Sequence, residues 1–232
     1  MTQTLKRPTN IYHTGAVLSV LSALTTAILM YGPNADTSGD FDTIQMLHSN
    51  GLYLYKKWVL FFHPQFAFLA AAAASFTLFR RSPGLASAAL FYLGIWAITE
   101  MSQQAYLIDA LNQMWRPAYL AAESADKAQW KTMILAMNGI SDTLYFVLIF
   151  GFGLGSFLFG LAFPRENNFD KWLGISITLI GGMSLLAFGY YYANASFAGP
   201  IVNFWYDWIY GPLQIGVRLA LGGWLWRTAN NT

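Results

Sequence analysis

Six stretches of this chain are apolar over about 20 residues or more, the length an α-helix needs to cross a hydrocarbon layer of roughly 30 Å at 1.5 Å per residue. A single water-soluble core has no use for runs of that length. Charge points the same way: 10% of the 232 residues are Asp, Glu, Lys or Arg, where a soluble domain carries about 25%. The expected fold class is therefore all-α, a polytopic bundle of six transmembrane helices in one domain covering residues 1–232. The spans fall at about 12–30, 56–79, 84–111, 131–162, 172–191 and 209–226.

The breakers between these runs fit that reading. Gly32-Pro33 closes the first span, and a polar loop follows with Asp36, Asp40, Asp42 and a short amphipathic stretch over 41–48. Pro64 should kink the second span, because proline removes one helical hydrogen bond. Pro83 suits the first position of the third. Residues 116–130 are polar enough to leave the membrane as a short helical connection, and 194–207 reads as an interfacial segment. Alanines over 67–74 and glycines at 151, 153, 155 and 160 suit close helix packing. Lys6 and Arg7 before an apolar run resemble the start of a signal peptide. The run is long for that role, however, and Tyr31-Gly32-Pro33-Asn34 is a poor cleavage site, so a retained first helix is expected.

Six spans put both termini on one side. Lys6, Arg7, Arg80, Arg81, Arg165, Lys171 and Arg227 fall on that side, against Lys56, Lys57, Arg116, Lys127 and Lys131 on the other. Seven against five, with the seven in short connections, places the termini in the cytoplasm of an inner (plasma) membrane. Trp58, Trp115, Trp130, Trp205 and Trp208 then form an outer aromatic belt, with Trp172, Trp224 and Trp226 on the inner one.

Several chemistries drop out. With no cysteine there is no disulfide, thiolate metal site or cysteine nucleophile. The basic residues are scattered and the net charge is +2, so no nucleic-acid partner is expected. No phosphate loop, dinucleotide fingerprint or nucleophile elbow is present. No lysine lies at the centre of a span to hold retinal, and no paired histidine and carboxylate spacing announces a metal. No cofactor is expected; haem held by His63 with His13 or His48 is kept as a minor alternative.

Polar residues inside spans are costly, by roughly 2.5–3.5 kcal/mol for a charged one on insertion scales, so each needs a partner or a wet cavity. Four spans carry them: His63 and Gln65; Glu100, Gln103 and Gln104; Asn138, Asp142 and Tyr145; Gln214 and Arg218. The last three sets are spaced by three or four residues, which places each on one helical face. All fall in the outer half of the bilayer, so a single polar pocket facing the outer side is expected. In it Arg218 is the cation, and Glu100 and Asp142 are its candidate partners. The bland reading is polar glue that fixes helix register. The first and fifth spans carry little beyond serines and threonines in their middles and are expected to serve mainly as packing or partner surface. Tyr190-Tyr191-Tyr192 and 204–208 read as interfacial aromatics before a ligand cage.

The loop after the first span, the long hairpin of spans three and four with its polar tip, and the closing segment from Gly211-Pro212-Leu213-Gln214-Ile215 to Gly222-Gly223-Trp224 resemble the bacterial six-helix membrane proteins catalogued as domain of unknown function 4386. That resemblance rests on layout and texture along nearly the whole chain. It transfers no site residue and implies no activity. The expected partners are membrane lipid, a small amphiphilic ligand bound in the pocket, and other membrane subunits. A membrane enzyme using Glu100 or Asp142 as acid or base on a lipid-like substrate, and an accessory subunit presenting Gly and Ala strips to its complex, are the competing readings.

Overall fold

The computed structural model describes residues 9–231; Lys6 and Arg7, counted in the charge comparison, lie outside them. The described residues form nine α-helices and no strand: α1 Thr9–Tyr31, α2 Phe41–His48, α3 Gly51–Arg81, α4 Pro83–Tyr106, α5 Arg116–Ala121, α6 Ser124–Ala162, α7 Asn168–Tyr192, α8 Gly199–Phe204 and α9 Gly211–Asn230. Wider π-helical turns at Leu107–Trp115 and Trp205–Tyr210 join α4 to α5 and α8 to α9 without a break in helical backbone.

Helix ends follow local chemistry. The Asn50 side chain accepts from the Tyr53 N–H at 3.1 Å, so α3 starts at Gly51 rather than near Lys56. Asp40 caps α2 through the Thr43 N–H at 2.8 Å. Asn194 takes a left-handed conformation, φ 55°, and ends α7 while the Ala195 N–H returns to the Gly189 carbonyl. α6 starts at Ser124, not near 131. Its 39 residues are about 58 Å long, too long to lie wholly within a hydrocarbon core.

Five stretches are long and apolar enough to cross a membrane: Asn10–Tyr31, Gly51–Arg81, Pro83–Ala121, Ser124–Ala162 and Asn168–Tyr192. The sixth expected span corresponds to α9, which is not among them, since Gln214, Arg218 and Arg227 dilute its 20 residues. Architecture and composition together are those of a multi-pass helical membrane protein.

The six long helices close a ring in the order α9, α1, α3, α4, α6, α7, with a thinner seam where α7 meets α9. Small residues set its spacing. A side chain at Gly15 of α1 would strike Ala73 of α3. Along α6, Gly151 and Gly155 face Trp96 and Leu93 of α4, while Gly153 and Gly160 face Leu185 and Thr178 of α7. The Gly and Ala strips are thus used inside the chain. At one end of the ring, Arg81–Glu166 and Arg227–Asp170 pair at 2.7 and 2.6 Å, and His13 packs on Trp226. At the other, α2, α5 and the start of α6 form a cap around Leu111, Tyr119, Ile134 and Met137.

Candidate functional site

The ring encloses a cavity of about 700 Å³ below the loop that precedes α2. Asn34, Thr37, His48, Lys56 and Lys57 border its mouth, and His63, Glu100, Tyr145, Ser184, Tyr206, Tyr210 and Arg218 line it further in. Lys56 Nζ donates to the Gly32 carbonyl at 3.1 Å and to Asn34 Oδ1, which ties the end of α1 to the start of α3 at the rim. A cation there also complements the negative pole of the α1 C-terminus.

Arg218 holds the interior. Its Nε donates to Gln214 Oε1 at 3.2 Å and its Nη1 to Ser22 Oγ of α1, while its carbonyl accepts from Ser19 Oγ at 2.6 Å. These are neutral acceptors. Among the described residues, Arg218 forms no ion pair with Glu100 or Asp142, which corrects the expected carboxylate clamp. Glu100 is buried, 7% exposed, and shares the cavity without reaching the guanidinium. Counting side chains on the wall, Arg218, Lys56 and Lys57 stand against one carboxyl group. A guanidinium already seated on neutral oxygens keeps its full charge for an anionic group entering the cavity.

His63 is fixed by α1 as well: Thr25 Oγ1 lies 2.8 Å from its Nδ1, and its ring meets Trp96 edge-on at 6.2 Å. His48, at the mouth, stacks on Tyr53 at 4.2 Å. Desolvation, with Arg116 and Lys57 beside it, lowers its pKa from the ordinary 6.5, so the neutral ring is favoured. Each histidine has a different neighbour, His13 sitting on Trp226, and no group of three or more metal-ligating side chains occurs among the described residues.

Of the side chains expected to form one pocket, the structure gathers His63, Glu100, Tyr145 and Arg218. Gln65 is half-buried and donates to the Phe61 carbonyl of its own helix. Gln103 Nε2 bridges α4 to α6 through the Ser141 carbonyl and hydroxyl at 2.8 and 2.9 Å, and Gln104 donates to Gln103. Gln103 is a helix–helix tie, and Gln104 supports it from within α4. Gln214 steadies Arg218 and faces a smaller hollow behind it. Asn138 and Asp142 are exposed, because the buried face of α6 runs through Ile134, Met137 and Ile149 and their row lies beside it. Asp142 lines a separate hollow with four tyrosines.

Two pairs of side chains join the cavity from outside the expected set. Ser22 and Thr25 make α1 a partner of the cavity and not merely packing. Tyr206 and Tyr210 line it too, and they extend the Gln214, Arg218 row backwards at intervals of four, a signal present in the sequence. No protein-family model, curated protein or solved structure matches this chain.

Proposed function

We propose that this protein binds a small amphiphile in the cavity, with the anionic end of the ligand on Arg218. The observation that carries the reading is a guanidinium inside a helix bundle, held by neutral oxygens, without a carboxylate partner among the described residues, and lining a 700 Å³ space. A half-buried charge of that kind is costly in a membrane setting and a bound anion offsets the cost. In the same reading α9 is the sixth span, both termini lie in the cytoplasm, and the cavity opens outward in a bacterial plasma membrane. Support comes from Arg80, Arg81, Arg165, Lys171 and Arg227 at the end where α9 finishes. From the sequence resemblance in layout and texture we propose the six-helix proteins of domain of unknown function 4386 as its relatives.

A second reading, a membrane enzyme acting on a lipid-like substrate, is favoured by Glu100 and His63 sharing that cavity as candidate proton-handling groups. The accessory-subunit reading loses its main support, because the Gly and Ala strips that would meet partners pack within the chain.

The test is purification in mild detergent followed by native mass spectrometry and lipid extraction, for wild type, Arg218→Leu and Glu100→Gln. Loss of a co-purifying anionic amphiphile in Arg218→Leu, with the protein still folded, is the expected result. If both variants carry the same small molecules as wild type, the cavity reading fails.

A further inference from the structure

The hollow around Asp142 has a composition opposite to that of the main cavity. It measures about 460 Å³ and is lined by Asp142 and Tyr145 of α6, Tyr191 and Tyr192 at the end of α7, and Tyr206. No lysine or arginine lines it. Asp142 is exposed and forms no ion pair among the described residues, whereas three other aspartates, Asp42, Asp170 and Asp40, are engaged by a lysine, an arginine and a helix cap. Tyr191 and Tyr192 meet edge-on rather than face to face, ring centres 6.5 Å apart and planes at 67°. Tyr190 packs against the first ring, and Phe146 and Phe188 against the second, which holds both at the rim of the hollow.

From this we propose that the Asp142–tyrosine hollow is a binding site for an organic ammonium group. Ring faces carry the negative end of the aromatic quadrupole and attract a cation placed over them. The carboxylate supplies the countercharge. A bare metal ion does not suit the site, because one carboxylate and phenol hydroxyls give too few strong oxygen ligands for a hard cation. An alkylated ammonium does, since its carbon shell packs on the rings while its charge faces Asp142. Tyr145 and Tyr206 line both this hollow and the Arg218 cavity, so these two side chains form a wall common to the two sites. The inference is independent of what the Arg218 cavity holds.

Two sources offer this chemistry, the headgroup of an amine-bearing lipid and a soluble quaternary ammonium. The probe is tetramethylammonium chloride, titrated calorimetrically against the full chain in nanodiscs of pure phosphatidylglycerol, with sodium chloride as the ionic-strength control. Saturable binding of tetramethylammonium and not of sodium is expected, weakened about tenfold or more in Asp142→Asn and in Tyr191→Leu. Both positions are exposed, so both variants should keep the thermal midpoint of wild type. Repeating the titration in phosphatidylcholine nanodiscs identifies the source. Lost tetramethylammonium binding assigns the hollow to the lipid headgroup, and unchanged binding assigns it to a soluble ammonium. Absence of saturable binding in phosphatidylglycerol, or equal affinity in Asp142→Asn and wild type, overturns the proposal.

Discussion

Arg218 of α9 donates to the hydroxyl of Ser22 of α1, and one turn along α1 the Ser19 hydroxyl returns a bond to the Arg218 carbonyl at 2.6 Å. The first and last long helices are therefore joined by both the side chain and the backbone of one residue. Ser22→Ala removes an acceptor from a half-buried guanidinium, and a lost bond to a charged group costs roughly 1.5–3 kcal/mol. Its thermal midpoint in detergent should fall clearly below wild type. Ser19→Ala, which loses a neutral bond to a carbonyl, should fall about half as far.

The α6–α7 crossing gives a sharper contrast between adjacent residues. A Cβ on Gly181 would meet the Phe157 backbone nitrogen, with the Gly153 carbonyl oxygen at 2.7 Å, and backbone cannot rotate away. On Gly182 it would meet only the Phe157 ring, at 3.7 Å, an ordinary contact. Gly181→Ala must push the helices apart at a cost of roughly 1–3 kcal/mol or more, while Gly182→Ala should be close to neutral. Thermal unfolding of the two purified variants checks this, and equal midpoints would count against the backbone contact.

Much of this architecture is legible in the sequence because bilayer-length apolar runs admit few alternatives. The long helices stand where those runs are. Their starts depend on local chemistry that hydropathy does not report: α3 begins at the Asn50 cap, ahead of Lys56 and Lys57, and α6 begins in the polar stretch Ser124-Ala125-Asp126-Lys127. The candidate site was legible in part for a related reason. Spacings of three and four tell which residues share a face but not which way the face points, so Arg218 and Glu100 turn inward while Asn138 and Asp142 turn out. Ser22 and Thr25 were passed over because hydroxyls in an apolar helix ordinarily bond their own backbone. Here Thr25 does so, to the Leu21 and Ser22 carbonyls, and also reaches His63.

His48 gives the cap a pH dependence whose sign follows from its surroundings. It faces Tyr53 and Lys57 of α3 and Arg116 of α5, with the Asp36 backbone as the one favourable neighbour for its charged form. Burial and the two cations lower its folded pKa below 6.5, so the unfolded cap takes up a proton first as pH falls. Stability contributed by the neutral ring is complete above about pH 6.5 and is lost as pH falls from there through the lowered folded value. Limited proteolysis within residues 33–50 should accelerate across that window. His48→Gln should flatten the profile; an unchanged pH profile in His48→Gln would place the titrating group elsewhere.

The cap also separates a buried cation from an exposed one. Arg116 is 2% exposed, donates to Gln45 Oε1 at 2.9 Å, to the His48 carbonyl at 3.2 Å and to Asn112 Oδ1, and lies over the Tyr53 ring. Lys127 reaches Asp42 at 2.9 Å, but both partners face solvent, where an ion pair contributes little. Arg116→Ala leaves Gln45 buried with an unsatisfied oxygen and frees the end of α2, at a cost of at least about 2 kcal/mol. Arg116→Lys should recover only part of it, since a single ammonium cannot reproduce the planar fork. Lys127→Ala should leave α2 almost unchanged. Hydrogen exchange over Phe41–His48 reads the order directly: fastest in Arg116→Ala, intermediate in Arg116→Lys, near wild type in Lys127→Ala. Because His48 and the preceding loop border the cavity mouth, the same order should govern how fast a bound amphiphile leaves, and a release rate indifferent to Arg116 would mean that ligand exits by another path.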